Sequence, residues 1–208
     1  MSAPSINTIA KVLLNSQAVH IQPDPDKFFT WTSGKRSPIY CDNRTLISFP
    51  NFRKEVVAKF VALIKKDYPE AELIAGTATA GIPWAAWISE ELDLPMVYIR
   101  SKAKGHGLKT AIEGKISPSQ KTLIIEDLIS TGKSSIEAFH HAKTDQLETL
   151  AVLSIFTYEF PIAKDSFQEN GVKTRSLCTL SELLEYSLES KLLSAEDVKT
   201  VQEWKTNS

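Results

Sequence analysis

Residues 123–135 read LIIEDLISTGKSS: an apolar run, two adjacent carboxylates, then a turn of small hydroxyl residues and glycine before a helix. The run TLII at 122–125 is strongly strand-like and brings Glu126 and Asp127 to its C-terminal end. A helix is expected from about Lys133 to Ala142. In open α/β sheets, ligands bind just beyond the carboxyl ends of the strands. Backbone N–H groups at a helix start form a cradle for anions. This stretch therefore sets acceptors for sugar hydroxyls beside donors for a phosphate, and a phosphorylated sugar needs both. A nucleotide-binding P-loop is excluded, because it requires glycine five positions before Gly132, where Asp127 stands. A solvated strand-to-helix turn would also use Ser, Thr and Gly. The paired carboxylates directly after the strand weigh against that plainer reading.

The neighbouring sequence repeats the same alternation. Upstream, ELIA at 72–75 precedes GTATAG and a helical stretch from Ile82 to Leu92, and Pro95 to Ile99 forms another apolar run. A polar, glycine-containing stretch follows from Arg100 to about Lys115. Downstream, TLAVLSIF at 149–156 reads as a buried strand. Strands alternating with helices predict an α/β fold, a mostly parallel sheet flanked by helices. Before it, Phe52, Val56, Phe60 and Ile64 sit four apart after Pro50 and Asn51, which predicts a helix with a core-facing stripe. Ile6, Ile9, Val12 and Leu13 predict a first amphipathic helix. Residues 28–43 suggest short strands around a loop, and Ser194 with Asp197 resembles a capping box opening a last helix. One domain spanning 1–208 is expected, in which residues 1–45 and the C-terminal helices build a small N-terminal cap or hood.

Composition bounds the possibilities. Hydrophobic residues make up 42% and charged residues 24%, enough to build a sizeable core. The 24 basic and 25 acidic side chains nearly cancel, so nothing draws the whole molecule to nucleic acid or to an anionic membrane. An anionic substrate must be met by a local basic cluster. Cys41 and Cys178 stand far apart with no ligand group at metal spacing, so two idle thiols are expected, with neither disulfide nor zinc. No signal peptide is expected, and no apolar run approaches the roughly 20 residues that span a bilayer. A cytoplasmic location is the expectation.

The 123–135 segment resembles the phosphoribosyl pyrophosphate (PRPP) signature of the type I phosphoribosyltransferases: an apolar strand, two acidic residues, two apolar or small residues, then Ser/Thr-Thr-Gly. Two further segments resemble the orotate phosphoribosyltransferases within that fold. RSKAKGHG at 100–107 looks like their mobile catalytic loop, Arg-x-x-x-Lys-x-His-Gly. FTWTSGKRSPIYCDNR at 29–44 looks like one branch's N-terminal segment over 16 positions. With GTATAGIP, the resemblance covers most of residues 28–160. It implies the type I phosphoribosyltransferase fold and transfer of ribose 5-phosphate from PRPP to orotate. The products would be orotidine 5′-monophosphate and pyrophosphate, on the route to UMP.

The resemblance implies roles residue by residue. Glu126 and Asp127 would hold the ribose 2′- and 3′-hydroxyls, and Asp127 would count with Lys104 and His106 as catalytic. Leu128, Ile129, Ser130, Thr131, Gly132, Lys133 and Ser134 would bind PRPP, with Ser130 to Ser134 on the 5′-phosphate. Thr79 and Ala80 would contact pyrophosphate, beside an Ala78–Thr79 peptide bond in cis. Arg100, Lys104 and His106 would close over the leaving pyrophosphate. Cations there stabilise charge that grows in the transition state. Arg100 can clamp phosphate bidentately, Lys104 is a mobile point charge, and His106 can donate to the leaving group. Gly105 and Gly107 suit a hinged lid, although a basic loop is more often simply solvated. Ile39, Tyr40 and Ser130 would meet orotate. Some members carry an orotate-binding arginine after the strand matching 149–156, where this chain reads Phe156-Thr157-Tyr158-Glu159. Tyr158 by stacking or hydrogen bonding, Arg44, or backbone groups are the candidates in its place. Ser101 and Thr32 likewise stand where some members have lysine.

Mg2+ is the expected cofactor, held mainly by substrate oxygens, with no metal site from the protein alone. A homodimer sharing the 100–109 loop across its interface is also implied. A PRPP-sensing transcription regulator would carry a basic DNA-binding module, which the balanced charge opposes. A purine phosphoribosyltransferase would lack RSKAKGHG and the 29–44 segment. A fused two-activity protein would need a further barrel of about 250 residues.

Overall fold

The structure, a computed structural model, describes residues 7–31, 33–101 and 110–206. In chain order it contains α1 (Thr8–Asn15), β1 (Val19–Ile21), a 3-10 turn (Pro25–Lys27), β2 (Phe29–Thr30), β3 (Arg36–Ser37) and β4 (Ile39–Cys41). A second 3-10 segment (Asn43–Ser48) leads into α2 (Pro50–Asp67), β5 (Leu73–Thr77), α3 (Gly81–Leu92), β6 (Met96–Ile99) and β7 (Ile112–Glu113). Then come β8 (Lys121–Ile129), α4 (Lys133–Thr144), β9 (Glu148–Thr157), α5 (Pro161–Glu169), β10 (Thr174–Thr179), α6 (Leu180–Glu189) and α7 (Ala195–Thr206).

The main sheet has six strands in the order β10-β9-β8-β5-β6-β7. Every pairing is parallel except β6 with β7. The expected mostly parallel sheet with helices on both faces is therefore observed. β8 and β9 are interior strands of the sheet and are apolar on both sides, as covered parallel strands must be. Strand alternation divides β8 between two cores. Leu123 and Ile125 join Phe60, Trp84 and Leu183 on one face, while Ile124 joins Val152, Ile136 and Phe167 on the other.

Local signals explain most helix ends. Asn7 caps α1 by accepting from the Ile9 N–H at 2.9 Å; Ile6, expected in this helix, lies outside the described residues. Pro50 occupies the first turn of α2, where its missing N–H costs nothing, and Val56, Phe60 and Ile64 are buried as expected. Ser194 and Asp197 form the reciprocal cap of α7, with the Asp197 N–H donating to Ser194 Oγ at 3.1 Å and the Ser194 N–H to Asp197 Oδ2 at 2.8 Å.

Four features depart from expectation. β8 continues through Ile129, so Glu126 and Asp127 lie within the strand, because β9 keeps pairing with it as far as Thr157. β7 arises inside the polar stretch that follows β6. α5 and β10 are the other two. α5 buries only Ala163 and Phe167, too sparse a stripe to read. β10 is an edge strand with a single neighbour, and its Thr174 and Arg175 remain exposed.

The first 45 residues lie outside the main sheet as two short antiparallel ladders, β1 with β4 and β2 with β3. α7 packs on them: Trp204 Nε1 donates to the Arg36 carbonyl at 2.9 Å, and its ring meets Trp31 edge-on at 5.8 Å. Just after β4, Asn43 Nδ2 donates to the Asp127 carbonyl of β8 at 2.7 Å, tying this N-terminal segment to the strand.

Candidate active site

Glu126 and Asp127 sit where β8 outruns its neighbour β5, whose ladder stops at Gly76 opposite Ile125. Glu126 is only 4% exposed. One of its oxygens accepts from Ser134 Oγ at 3.1 Å and Ser135 Oγ at 3.4 Å, the other from the Asp127 N–H at 3.2 Å. Burial, reinforced by the adjacent Asp127 charge, pushes its carboxyl up to about 8. Burial also raises Asp127, against hydrogen bonds from Glu126 and nearby backbone N–H groups and against the Arg44 charge. Two close carboxylates in a poorly solvated place titrate as a pair. Both carboxyls are raised and share their titration, so the pair holds protons more readily than free carboxylates and can offer both donor and acceptors to a diol.

The turn after β8 has its conformation dictated by Gly132. It caps α4 with φ 78° and ψ −2°, a left-handed geometry that side chains avoid. A Cβ there would also meet the Phe167 ring at 2.9 Å. Thr131 is exposed and Ser130 half-buried, at the N-terminus of a 12-residue helix whose unpaired N–H groups favour an anion. Lys133 extends into solvent, 82% exposed and 4.0 Å from Glu137, and the Ser134 hydroxyl is turned to Glu126.

A second loop enters from β5. Ala78–Thr79 is a cis peptide bond, as expected, and Ala78 N–H donates to the Ile99 carbonyl at 2.8 Å. α3 starts immediately afterwards, pressed so close to β8 that a Cβ on Gly81 would overlap the Ile125 carbonyl. Thr79 is exposed and Ala80 half-exposed, immediately before Gly81, whose added Cβ would lie 3.5 Å from Glu126 Cα. Arg100 stands at the end of β6, paired with Glu113 of β7 at 3.3 Å. Lys104 and His106 lie outside the described residues, as do Lys102 and Thr32.

Of the two base-facing positions expected before residue 45, Tyr40 and Ile39, one is accessible and one is not. Tyr40 points outward, 39% exposed, with its ring 5.9 Å from Phe29, and is available to a planar ligand. Ile39 is fully buried, and its carbonyl already accepts from Ser37 Oγ at 2.7 Å and Trp31 Nε1 at 3.2 Å. Tyr158 needs a correction. Its ring, 2% exposed, is packed by Trp31, Phe156 and Phe160 at 5.2, 5.4 and 5.3 Å, so no face remains for stacking on orotate. Burial also drives its phenol pKa far upward. It holds the hood to the sheet.

One residue escaped the sequence reading. Asn43 is fully buried, donates from Nδ2 to the Asp127 main-chain carbonyl at 2.7 Å, and accepts from Cys41 Sγ at 3.3 Å. It fastens the hood to the strand that carries the carboxylates. Its only signal was a place in the run Asp42-Asn43-Arg44; the contact spans 84 positions.

Among the described residues no group of three or more His, Cys, Asp or Glu side chains is clustered to hold a metal, and no helix is long and apolar enough to cross a membrane. The phosphoribosyl transferase domain family matches residues 50–160. The chain is 50% identical over 197 residues to an orotate phosphoribosyltransferase of Enterococcus faecalis, covering 95% of this chain and 93% of that protein. Among solved structures, Leishmania donovani UMP synthase superposes with a TM-score of 0.80 at 28% identity, covering 98% of this chain and 43% of that one. The orotate phosphoribosyltransferase from Aeropyrum pernix superposes with a TM-score of 0.76 at 25% identity, covering 89% and 99%.

Proposed function

We infer the chemistry from one premise: the chain belongs to the phosphoribosyl transferase domain family and, within it, to the orotate phosphoribosyltransferases. It transfers ribose 5-phosphate from PRPP to orotate, giving orotidine 5′-monophosphate and pyrophosphate. The observation that carries the assignment of its site is the Glu126–Asp127 pair in the last residues of β8, a few positions before the turn at Gly132 that opens α4.

In this reading Ser130, Thr131 and the first N–H groups of α4 hold the 5′-phosphate, and Leu128 and Ile129 carry the strand into that turn. Glu126 and Asp127 take the ribose 2′- and 3′-hydroxyls. Thr79 and Ala80 face pyrophosphate. Orotate N1 replaces pyrophosphate on the anomeric carbon: the carbon–oxygen bond breaks, a carbon–nitrogen bond forms, and the N1 proton passes to solvent or to the departing pyrophosphate. Positive charge grows on the ribose during this exchange, and the Glu126–Asp127 carboxyl pair faces it from a poorly solvated position. Arg100, Lys104 and His106 meet the charge that grows on the leaving pyrophosphate. Tyr40 and Ser130 border the slot for the planar base.

The donor chemistry fits magnesium held mainly by PRPP oxygens, since the acidic groups present are hard oxygen donors that can meet its remaining waters. When bound, the ion neutralises pyrophosphate charge and improves it as a leaving group.

We also propose a homodimer in which the 100–109 loop of one subunit serves the site of the other. A groove of about 670 Å³ between α2 and α3 supports this, with Val57, Val61 and Trp87 in its lining. The two buried free thiols, Cys41 and Cys178, support a reducing cytoplasm as the compartment.

The test is a spectrophotometric assay with PRPP, magnesium and a panel of orotate, uracil and adenine. Orotate should be consumed only when PRPP and magnesium are both present. Turnover of adenine with orotate untouched would overturn the assignment.

A further inference from the structure

A base bearing a carboxylate is bound most strongly by a charge-assisted donor in its slot. The segment after β9 supplies none, since Tyr158 is walled into the core and Glu159 is itself acidic. Other described cations near the site are engaged. Lys35 lies over the rings of Phe160 and Trp204 at 4.9 and 5.3 Å. Arg36 donates to the Pro25 carbonyl at 2.6 Å. Arg100 pairs with Glu113 at 3.3 Å, and Lys133 with Glu137 at 4.0 Å.

Arg44 is differently placed. It follows directly on Asn43, whose amide is fastened to the Asp127 carbonyl, so its backbone is held beside the ribose-binding strand. It lies on the hood side, four residues after the outward-facing Tyr40. Its Nε and Nη2 donate to the two oxygens of Asp42 at 2.6 and 2.8 Å. A guanidinium is a planar fork with five N–H donors. The Asp42 pairing uses one edge and leaves the Nη1–Nη2 edge for a second planar carboxylate. The side chain is 66% exposed, so a ligand can reach it. Its charge already reaches Asp127. In the proposed reading the base hangs from the anomeric carbon of a ribose held at Asp127, on the strand to which Asn43 ties the segment that carries Arg44.

We propose that Arg44 binds the carboxylate of orotate, with Asp42 aligning its guanidinium and Asn43 fixing its position. The proposal rests on the orotate reading of the site. It makes Arg44 the residue that distinguishes orotate from neutral pyrimidines.

The experiment measures binding, so it does not depend on turnover. Orotidine 5′-monophosphate and uridine 5′-monophosphate share phosphate and ribose and differ by the carboxylate alone. Calorimetric titration of both is compared for the native protein, Arg44→Gln and Arg44→Lys. Arg44→Gln should weaken orotidine 5′-monophosphate about ten- to hundredfold and leave uridine 5′-monophosphate unchanged. Arg44→Lys, which keeps the charge without the fork, should recover part of the loss. Equal weakening of both nucleotides, or of neither, overturns the role of Arg44 and leaves the enzyme assignment standing. A native protein that does not prefer the carboxylated nucleotide overturns the orotate reading itself, and the proposal with it. Arg44 is mostly exposed, and matching thermal melts of the three proteins confirm that the fold is retained.

Discussion

Replacing Glu126 with glutamine should stabilise the protein near neutral pH while weakening its hold on ribose. The carboxyl has an ordinary value of 4.5, and burial raises it to about 8 in the folded chain. Between those limits the folded state binds more protons than the unfolded state. Stability therefore falls as pH rises from 4.5 toward 8 and levels off above. Each unit is worth about 1.4 kcal/mol, so by about pH 7 the native carboxyl costs the fold about 3 kcal/mol. Glutamine keeps the shape, and its amide oxygen can accept from the Asp127 N–H or a serine hydroxyl, but it never ionises. For a chain near this length, that difference raises the melting temperature by about 6–12 °C at about pH 7 and by almost nothing at about pH 4.5. The assay is thermal unfolding of both proteins across that range, without PRPP or magnesium. A melting difference that does not change with pH would refute the reasoning, because it would mean that Glu126 is not held neutral by its surroundings.

Asp127→Asn should retain the fold but lower the catalytic efficiency with PRPP about ten- to hundredfold, since a charged hydroxyl acceptor is lost; unchanged efficiency would remove Asp127 from the site. Gly132→Ala should destabilise the protein by about 1–3 kcal/mol, because it forces a side chain into a left-handed φ against the Phe167 ring. Denaturant titration checks this, and an unchanged midpoint would show that the turn relaxes freely. Mixing Lys104→Ala with Asp127→Asn should restore activity if the loop acts across a homodimer. About half of randomly reassorted dimers are mixed and each has one intact site, so about a quarter of all sites should work. No recovery, with subunit exchange shown independently, would place the loop in its own subunit.

The β8–α4 unit was legible because everything it needs is contiguous. An apolar strand, two carboxylates, a turn glycine and a helix start follow each other within 13 residues, and short-range chemistry determines their order. The alternation of strands and helices likewise announced a parallel sheet, because covered strands must be apolar on both faces. Resemblance then supplied the base and the lid, which no periodicity contains. Edge strand β10 and helix α5 escaped because an edge needs few apolar residues to hold its place. Other properties depend on what comes together from distant parts of the chain. Tyr158 looked available beside a strand end, until Trp31 and Trp204 from opposite ends of the chain closed over it. Asn43 is an ordinary polar residue in a loop until folding buries it against Asp127. Glu126 and Asp127 are plain carboxylates in sequence; the closeness of Gly81 to β8 and the cover of Ser134 and Ser135 remove the water that would keep both ionised. Residue type and spacing determine which groups this protein can use. Only packing decides which of them lose solvent, and solvent loss determines both charge state and reach.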